Sequence, residues 1–169
     1  MKTNLEIRLI KEEDPAIIDL AFARENRSKS IDQYTYYYEL QKEGKRDVII
    51  AEKNGDFAGY LTVKWEANYL PFREKGIPEI VDFNVLNKFQ RQGIGNALME
   101  EAEKRIRKVS KFAGIGFGVY KDYGAAQRLY VKRGYIPDGM GMVKDSAPIP
   151  PGTMVRVDDD LVICLTKEL

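Results

Sequence analysis

Histidine is absent from this 169-residue chain, and cysteine occurs once, at Cys164. The first absence excludes Ser-His-Asp and Cys-His nucleophilic sites. It also removes the commonest metal ligand, so no metal centre is expected. The second excludes an intrachain disulfide framework. A surplus of one charge is lacking too: 27 basic residues face 26 acidic ones, a formal net charge of +1. Nucleic-acid binders usually carry a basic excess, so no nucleic-acid partner is expected. No apolar run approaches the roughly 20 residues that span a bilayer. The first residues, Met1-Lys2-Thr3-Asn4-Leu5-Glu6, form no apolar leader. The expectation is a soluble cytoplasmic protein without a membrane partner. Acid–base chemistry falls to carboxylates, tyrosines, lysines, water or the backbone. The length suits one domain, 1–169, around a single core.

The pattern of residues predicts an order of roughly β α α β β β α β α β β, an α+β fold. Leu5–Ile10 alternates apolar and charged residues, as a half-buried strand does. Glu13-Asp14-Pro15 supplies a capping carboxylate and a proline for a helix continuing through Ala16–Arg24. Ser30–Lys45 reads as a second helix, stopped near Gly44 and rich in tyrosine (Tyr34, Tyr36, Tyr37, Tyr38). Asn54-Gly55 between Asp47–Lys53 and Phe57–Trp65 is a strong hairpin signal. Glu66–Pro78 reads as a loop, and Glu79–Leu86 as a strand. Gly93–Val109 is the clearest helix, with Ile94, Ala97, Leu98, Ala102, Ile106 and Val109 on one face. Glu100–Lys104, Glu101–Arg105 and Glu103–Arg107 make solvated i,i+4 pairs worth about 0.3–0.5 kcal/mol each. Phe112–Tyr120 is a glycine-rich strand, Tyr123–Arg133 a short helix, Tyr135-Ile136-Pro137 the start of an extended segment, Asp138–Asp160 a loop-like insert and Leu161–Leu165 a final strand.

Between the strand at Glu79–Leu86 and the helix lies Gln90-Arg91-Gln92-Gly93-Ile94-Gly95. Two glycines at a strand-to-helix turn allow successive N–H groups to close on a phosphate at the positive end of a helix. The third glycine of a dinucleotide fingerprint and the Gly-Lys-Ser/Thr of a P-loop are both missing, which leaves a nucleotide-phosphate binder of another fold a minor alternative. An anion site of main-chain amides remains, with Arg91 and Lys88 nearby, and a diphosphate suits it.

These residues resemble the first signature, Q/R-x-x-G-x-G/A, of the GNAT superfamily of acyl-CoA-dependent N-acyltransferases. Ala126-x-x-Leu129-Tyr130-x-x-x-Gly134-Tyr135 is similar to its second signature, and one helix and one strand separate the two, as in the family. The resemblance implies a mixed, mostly antiparallel sheet with a V-shaped splay between its central strands, flanked by helices. It implies acetyl-CoA as co-substrate, with Gln90, Arg91, Gln92, Gly93, Ile94, Gly95 and Asn96 cradling the pyrophosphate mainly through backbone N–H. Phe83, Asn84 and Val85 would pair with the pantetheine arm, with Val85 N–H facing the thioester carbonyl. Tyr123 and Ala126 would also touch the cofactor. The chain departs from the family pattern at Asn87, where proline is common, at Gln90, where arginine is, and at Tyr123, where asparagine is.

Acetylating an amine with a pKa near ~10.4 requires a base or a water chain, and the departing thiolate requires a donor. The resemblance makes Tyr130 the acid. Glu79 matches a catalytic glutamate of the histone-acetylating branch; Asp82 and ordered water are the alternatives for the base. In a regular strand residues 80, 82 and 84 share one face and 81, 83 and 85 the other, so Glu79 and Asp82 would point opposite ways, and Asp82 would be a buried acid. The acceptor would be a primary amine on a small molecule or peptide. Tyrosine ring faces and acids such as Glu66, Glu74, Asp158, Asp159 and Asp160 would favour its positive charge. Cys164 reads as a small buried hydrophobe and Trp65 as core or rim. A homodimer is compatible with what is common among relatives. The rival from another class is a non-catalytic acyl-CoA-binding sensor.

Overall fold

A computed structural model describes residues 4–169. The chain divides into two compact units. The first takes the chain up to Trp65 together with Val81–Arg105; the second takes Glu66–Ile80 and Ile106–Leu169.

In the first unit, β1 (Leu5–Leu9) pairs antiparallel with β2 (Arg46–Lys53), and β2 with β3 (Asp56–Lys64). The hairpin between β2 and β3 turns at Asn54 and Gly55, both at positive φ (54° and 86°), as a two-residue primed turn requires. Two helices, α1 (Asp14–Ala23) and α2 (Ile31–Lys42), separate β1 from β2. Ile18, Phe22, Tyr34, Tyr37, Val48, Ile50, Phe57 and Tyr60 form this unit's core.

Asp14 does not cap α1 in the expected way, since no side chain caps that helix. It is buried, accepts the Lys11 N–H at 2.6 Å, and takes the Arg8 guanidinium fork at 2.6 and 2.8 Å. Of the tyrosine run, Tyr34 and Tyr37 are buried while Tyr36 is exposed, because the helix turns successive residues about 100° apart.

Strand β4 (Glu79–Val85) contributes its last five residues to the first unit. A 3₁₀ turn (Asn87–Phe89) leads to α4 (Ile94–Ile106), shorter than expected; Val109 lies beyond its end and is exposed. Glu101–Arg105 forms as expected, at 2.8 Å, and Arg105 also reaches Asp47 at 3.0 Å. Glu103, expected on the solvated face, is buried instead.

In the second unit, Glu79 and Ile80 pair in parallel with Gly114 and Ile115 of β5 (Phe112–Gly118). Antiparallel pairing continues through β8 (Leu161–Glu168), β6 (Ile136–Lys144) and β7 (Ala147–Pro148), with α5 (Gly124–Lys132) following β5. The full strand order is β1-β2-β3-β4-β5-β8-β6-β7, a mixed and mostly antiparallel sheet flanked by helices.

Two expected loops contain structure. Glu66–Pro78 holds a short helix, α3 (Leu70–Glu74), started by Pro71 and held by buried Phe72. The first residues of Asp138–Asp160 belong to β6, which is bulged between Pro137 and Met142, where Gly139 and Gly141 have positive φ. No helix among the described residues is long and apolar enough to cross a membrane.

Candidate active site

The turn before α4 is left-handed at two positions, Arg91 (φ 57°) and Gly93 (φ 83°). Left-handed residues alternating with ordinary ones aim successive N–H groups into one concavity. Ala97 N–H closes the first helical bond on Gly93 O at 3.1 Å, so the preceding amides form the helix's open, positive end. Nothing lies within 4 Å of where a Gly93 Cβ would stand; the positive φ explains that glycine. Buried Ile94 anchors the turn from below.

The two glutamines brace the loop with their side chains. Gln92 donates to Lys88 O at 2.8 Å and accepts from Lys53, while Gln90 donates to Asn87 Oδ1 at 3.1 Å and Val85 O at 3.3 Å. Lys88, expected beside the anion site, faces the hairpin at Asp56 (3.6 Å) and the Phe89 ring (4.6 Å). Backbone amides and exposed Arg91 therefore carry the fit to a diphosphate.

Strand β4 is not regular. Asp82 has φ 52°, which interrupts the alternation that would set residues 79 and 82 on opposite faces. Beyond this break Leu86 N–H bonds Ala58 O of β3 at 2.9 Å. Strand alternation then turns the N–H groups of Phe83 and Val85 away from β3. Asn84 turns the other way. Its carbonyl packs on Gly59, its Oδ1 accepts from Arg27 at 2.6 Å, and its Nδ2 donates to the Tyr60 hydroxyl at 3.2 Å. The close approach of β3 to β4 requires a glycine at 59: a Cβ there would stand 2.6 Å from Asn84 O.

The expected burial of Asp82 is not observed. Its side chain is 38% exposed. Tyr37 donates to Asp82 Oδ2 at 2.5 Å, and Arg46 Nη1 lies 3.4 Å from the same oxygen. Gln33 donates to the Tyr37 hydroxyl at 2.8 Å, and Arg46 Nη1 to Thr62 Oγ1 at 2.9 Å. Arg46 stacks on the Tyr37 ring, 4.1 Å from its centroid, so this tyrosine face is covered by the protein's own cation. Burial, with help from Asp82, pushes the Tyr37 phenol up. Burial likewise raises Tyr34 to about 12, and Tyr60 beyond it; these two phenols share a 2.8 Å hydrogen bond.

The remaining candidates lie in the second unit. Glu79, Tyr69, Cys164, Asp145, Asp159 and Asp160 are among the residues lining a cavity of about 170 Å³. Burial, with the nearby Glu79 and Asp138 charges, pushes the Cys164 thiol up to about 12, which leaves it the inert buried group expected. Tyr130 on α5 is buried, and that burial alone holds its phenol protonated well above the ordinary range. Tyr123 packs its ring on Gly118, where a Cβ would stand 2.4 Å from it, and donates to Asp159 at 2.9 Å. Ala126 is half-buried on α5. Arg46 went unnoticed in the sequence, and Tyr37 was named only as one of a run of tyrosines. An arginine opening an apolar strand was a faint signal for the first; the second sat within the ambiguous tyrosine run.

The mixed sheet and the left-handed glycine turn opening α4 match what the resemblance to acetyl-CoA-dependent transferases implies. The acetyltransferase (GNAT) family model matches residues 14–135, and the chain belongs to that family. It is 27% identical over 118 residues to an N-alpha-acetyltransferase from Sulfurisphaera tokodaii, covering 65% of this chain and 70% of that protein. A GNAT-family protein of Desulfovibrio desulfuricans has a similar fold, with a TM-score of 0.73 at 16% identity over 98% of this chain and 99% of that one. So does a Salmonella typhimurium protein solved with its cofactor acetyl-CoA, with a TM-score of 0.68 at 18% identity over 97% and 93%. The protein is thus an acetyltransferase, with acetyl-CoA as its co-substrate.

Proposed function

We propose that residues 1–169 act as one N-acetyltransferase domain that acetylates a primary amine of a small molecule or peptide by direct attack in a ternary complex. The observation that carries this reading is the left-handed turn at Arg91 and Gly93 where α4 begins. Acetyl-CoA supplies the activated acetyl group when bound. The main-chain amides of the turn, from Gln90 to Asn96, hold the diphosphate, with Arg91 adding positive charge. Phe83 and Val85 N–H groups pair with the extended arm, and Val85 N–H stabilises charge on the carbonyl oxygen. Tyr123 and Ala126 contribute further cofactor contacts.

Tyr130 supplies the proton to the departing sulfur. Its phenol is kept protonated by burial, as an acid must be before it acts. Glu79, directly or through water, removes the amine proton; Asp82 and water alone are the alternatives. The carboxylates at 79, 145, 159 and 160 that line one cavity favour a cationic acceptor. The N-alpha-acetyltransferase relative supports a peptide α-amine among such acceptors. A cytoplasmic setting and a homodimer complete the reading.

The test is CoA release with a panel of primary amines and peptides, alongside calorimetry with acetyl-CoA. Wild type should bind acetyl-CoA, and Gly93→Trp should not, because its side chain would fill the turn at a positive φ. Tyr130→Phe should lower kcat more than tenfold while leaving acetyl-CoA affinity nearly unchanged. Binding without turnover for any amine would favour the sensor reading; absence of acetyl-CoA binding by wild type would remove both.

A further inference from the structure

We propose that Asp82 is a further carboxylate of this enzyme that binds the acceptor, taking its amine in the ammonium form through Oδ1. The inference rests on the amine-acetylating reading above and names the residue and the protonation state that reading leaves open.

Asp82 stands at the one break in β4, at a positive φ that aspartate and asparagine tolerate better than other residues with side chains. Both of its contacts fall on Oδ2: the Tyr37 hydroxyl at 2.5 Å and Arg46 Nη1 at 3.4 Å. Oδ1 takes no hydrogen bond among the described residues, and the side chain is 38% exposed. One oxygen is held and the other is open.

The holding groups are themselves fixed. Arg46 is 91% buried by its side-chain exposure of 9%, lies on the Tyr37 ring, and donates to Thr62, whose hydroxyl donates to Val81 O at 3.1 Å. Tyr37 is steadied by Gln33. Groups from α2, β2 and β3 thus converge to aim one carboxylate outward at the break in β4. Preorganisation of this kind is what makes a charge-assisted hydrogen bond selective. The next residue, Phe83, begins the edge whose amides turn away from β3, so Asp82 adjoins the strand edge assigned to the acyl arm.

An ionised carboxylate only accepts hydrogen bonds. Aliphatic amines, with pKa values near ~10.4, are ammonium ions at neutral pH and donate several. Asp82 therefore selects alkyl ammonium groups over neutral, weakly basic amines, and proton removal follows binding elsewhere.

Steady-state kinetics with benzylamine and the tripeptide Ser-Ala-Leu as ammonium acceptors, and aniline as a neutral one, test this. Asp82→Asn keeps the shape and tolerates the positive φ. Asp82→Gly removes the carboxylate while relieving the positive φ, and an acetyl-CoA KM held in both variants reports that the fold is intact. Both should raise the KM of the ammonium acceptors by about tenfold or more, leaving the acetyl-CoA KM and any aniline turnover within about twofold. The inference is overturned by an unchanged acceptor KM, by equal losses with aniline, or by a fall in kcat alone, which would make Asp82 the proton acceptor. If wild type acetylated no amine at all, the underlying reading would fall first, a result separable from any effect of the variants.

Discussion

Gly59→Ala is the sharpest probe of how closely β3 and β4 pack beside the proposed cofactor edge. A Cβ at position 59 would stand 2.6 Å from Asn84 O and 3.0 Å from Val85 Cα. Ordinary contact begins near 3.4 Å, so the methyl group and the carbonyl must part by roughly 0.8 Å. Neither atom belongs to a flexible side chain. The strands themselves must move, against the Leu86 N–H to Ala58 O bond beside them. Overpacking of this kind costs about 1–3 kcal/mol. In a chain of this size that lowers Tm by about 2–12 °C. Because the displaced segment is Asn84–Val85, acetyl-CoA affinity should weaken as well, by about fivefold or more if 1 kcal/mol of the distortion persists on binding. Thermal unfolding followed by circular dichroism and calorimetry with acetyl-CoA measure the two effects. A variant with an unchanged Tm and an unchanged acetyl-CoA Kd would refute the claim that β3 and β4 touch here without slack.

The protein should lose stability in alkali. Tyr34 ionises near 10 when unfolded but only at about 12 when folded, so the unfolded chain releases its proton first. The contribution is complete below about pH 10 and disappears as pH rises toward about 12; Tyr37, Tyr60, Tyr69, Tyr123 and Tyr130 shift in the same direction. Urea midpoints should be level from pH 8 to 9.5 and fall beyond, and a midpoint still level at pH 11.5 would contradict this. Cys164, with its thiol raised to about 12, should resist a thiol reagent at pH 8 until urea unfolds the chain; rapid labelling of the native protein would show the thiol to be reachable.

Much of this architecture was legible because its signals are local. Asn54-Gly55 announces a hairpin, since both positions need positive φ and those residues supply it cheaply. Gly93 announces a turn at a helix start for the same reason. The amphipathic period of α4 follows from its own residues, as does the alternation of β1. What escaped notice depends on partners distant in sequence. Helix α3 exists because Phe72 packs where Gly114 leaves room, 2.5 Å from where a Cβ would be. Strand β6 continues past Asp138 because β8 pairs with Met142, Val143 and Lys144. Glu103 looked solvated by period alone, yet it is buried.

The same division holds at the site. The sequence by itself determined the family signatures, the glycine turn and the absence of histidine, and thereby the class of chemistry. Only the tertiary structure decided which groups surround Asp82. A positive φ in mid-strand, a tyrosine from α2 and an arginine from β2 meet there through pairings 36 to 45 residues apart. Local propensity carries no record of such meetings, because the energy that fixes them arises only once the sheet has closed and water has left.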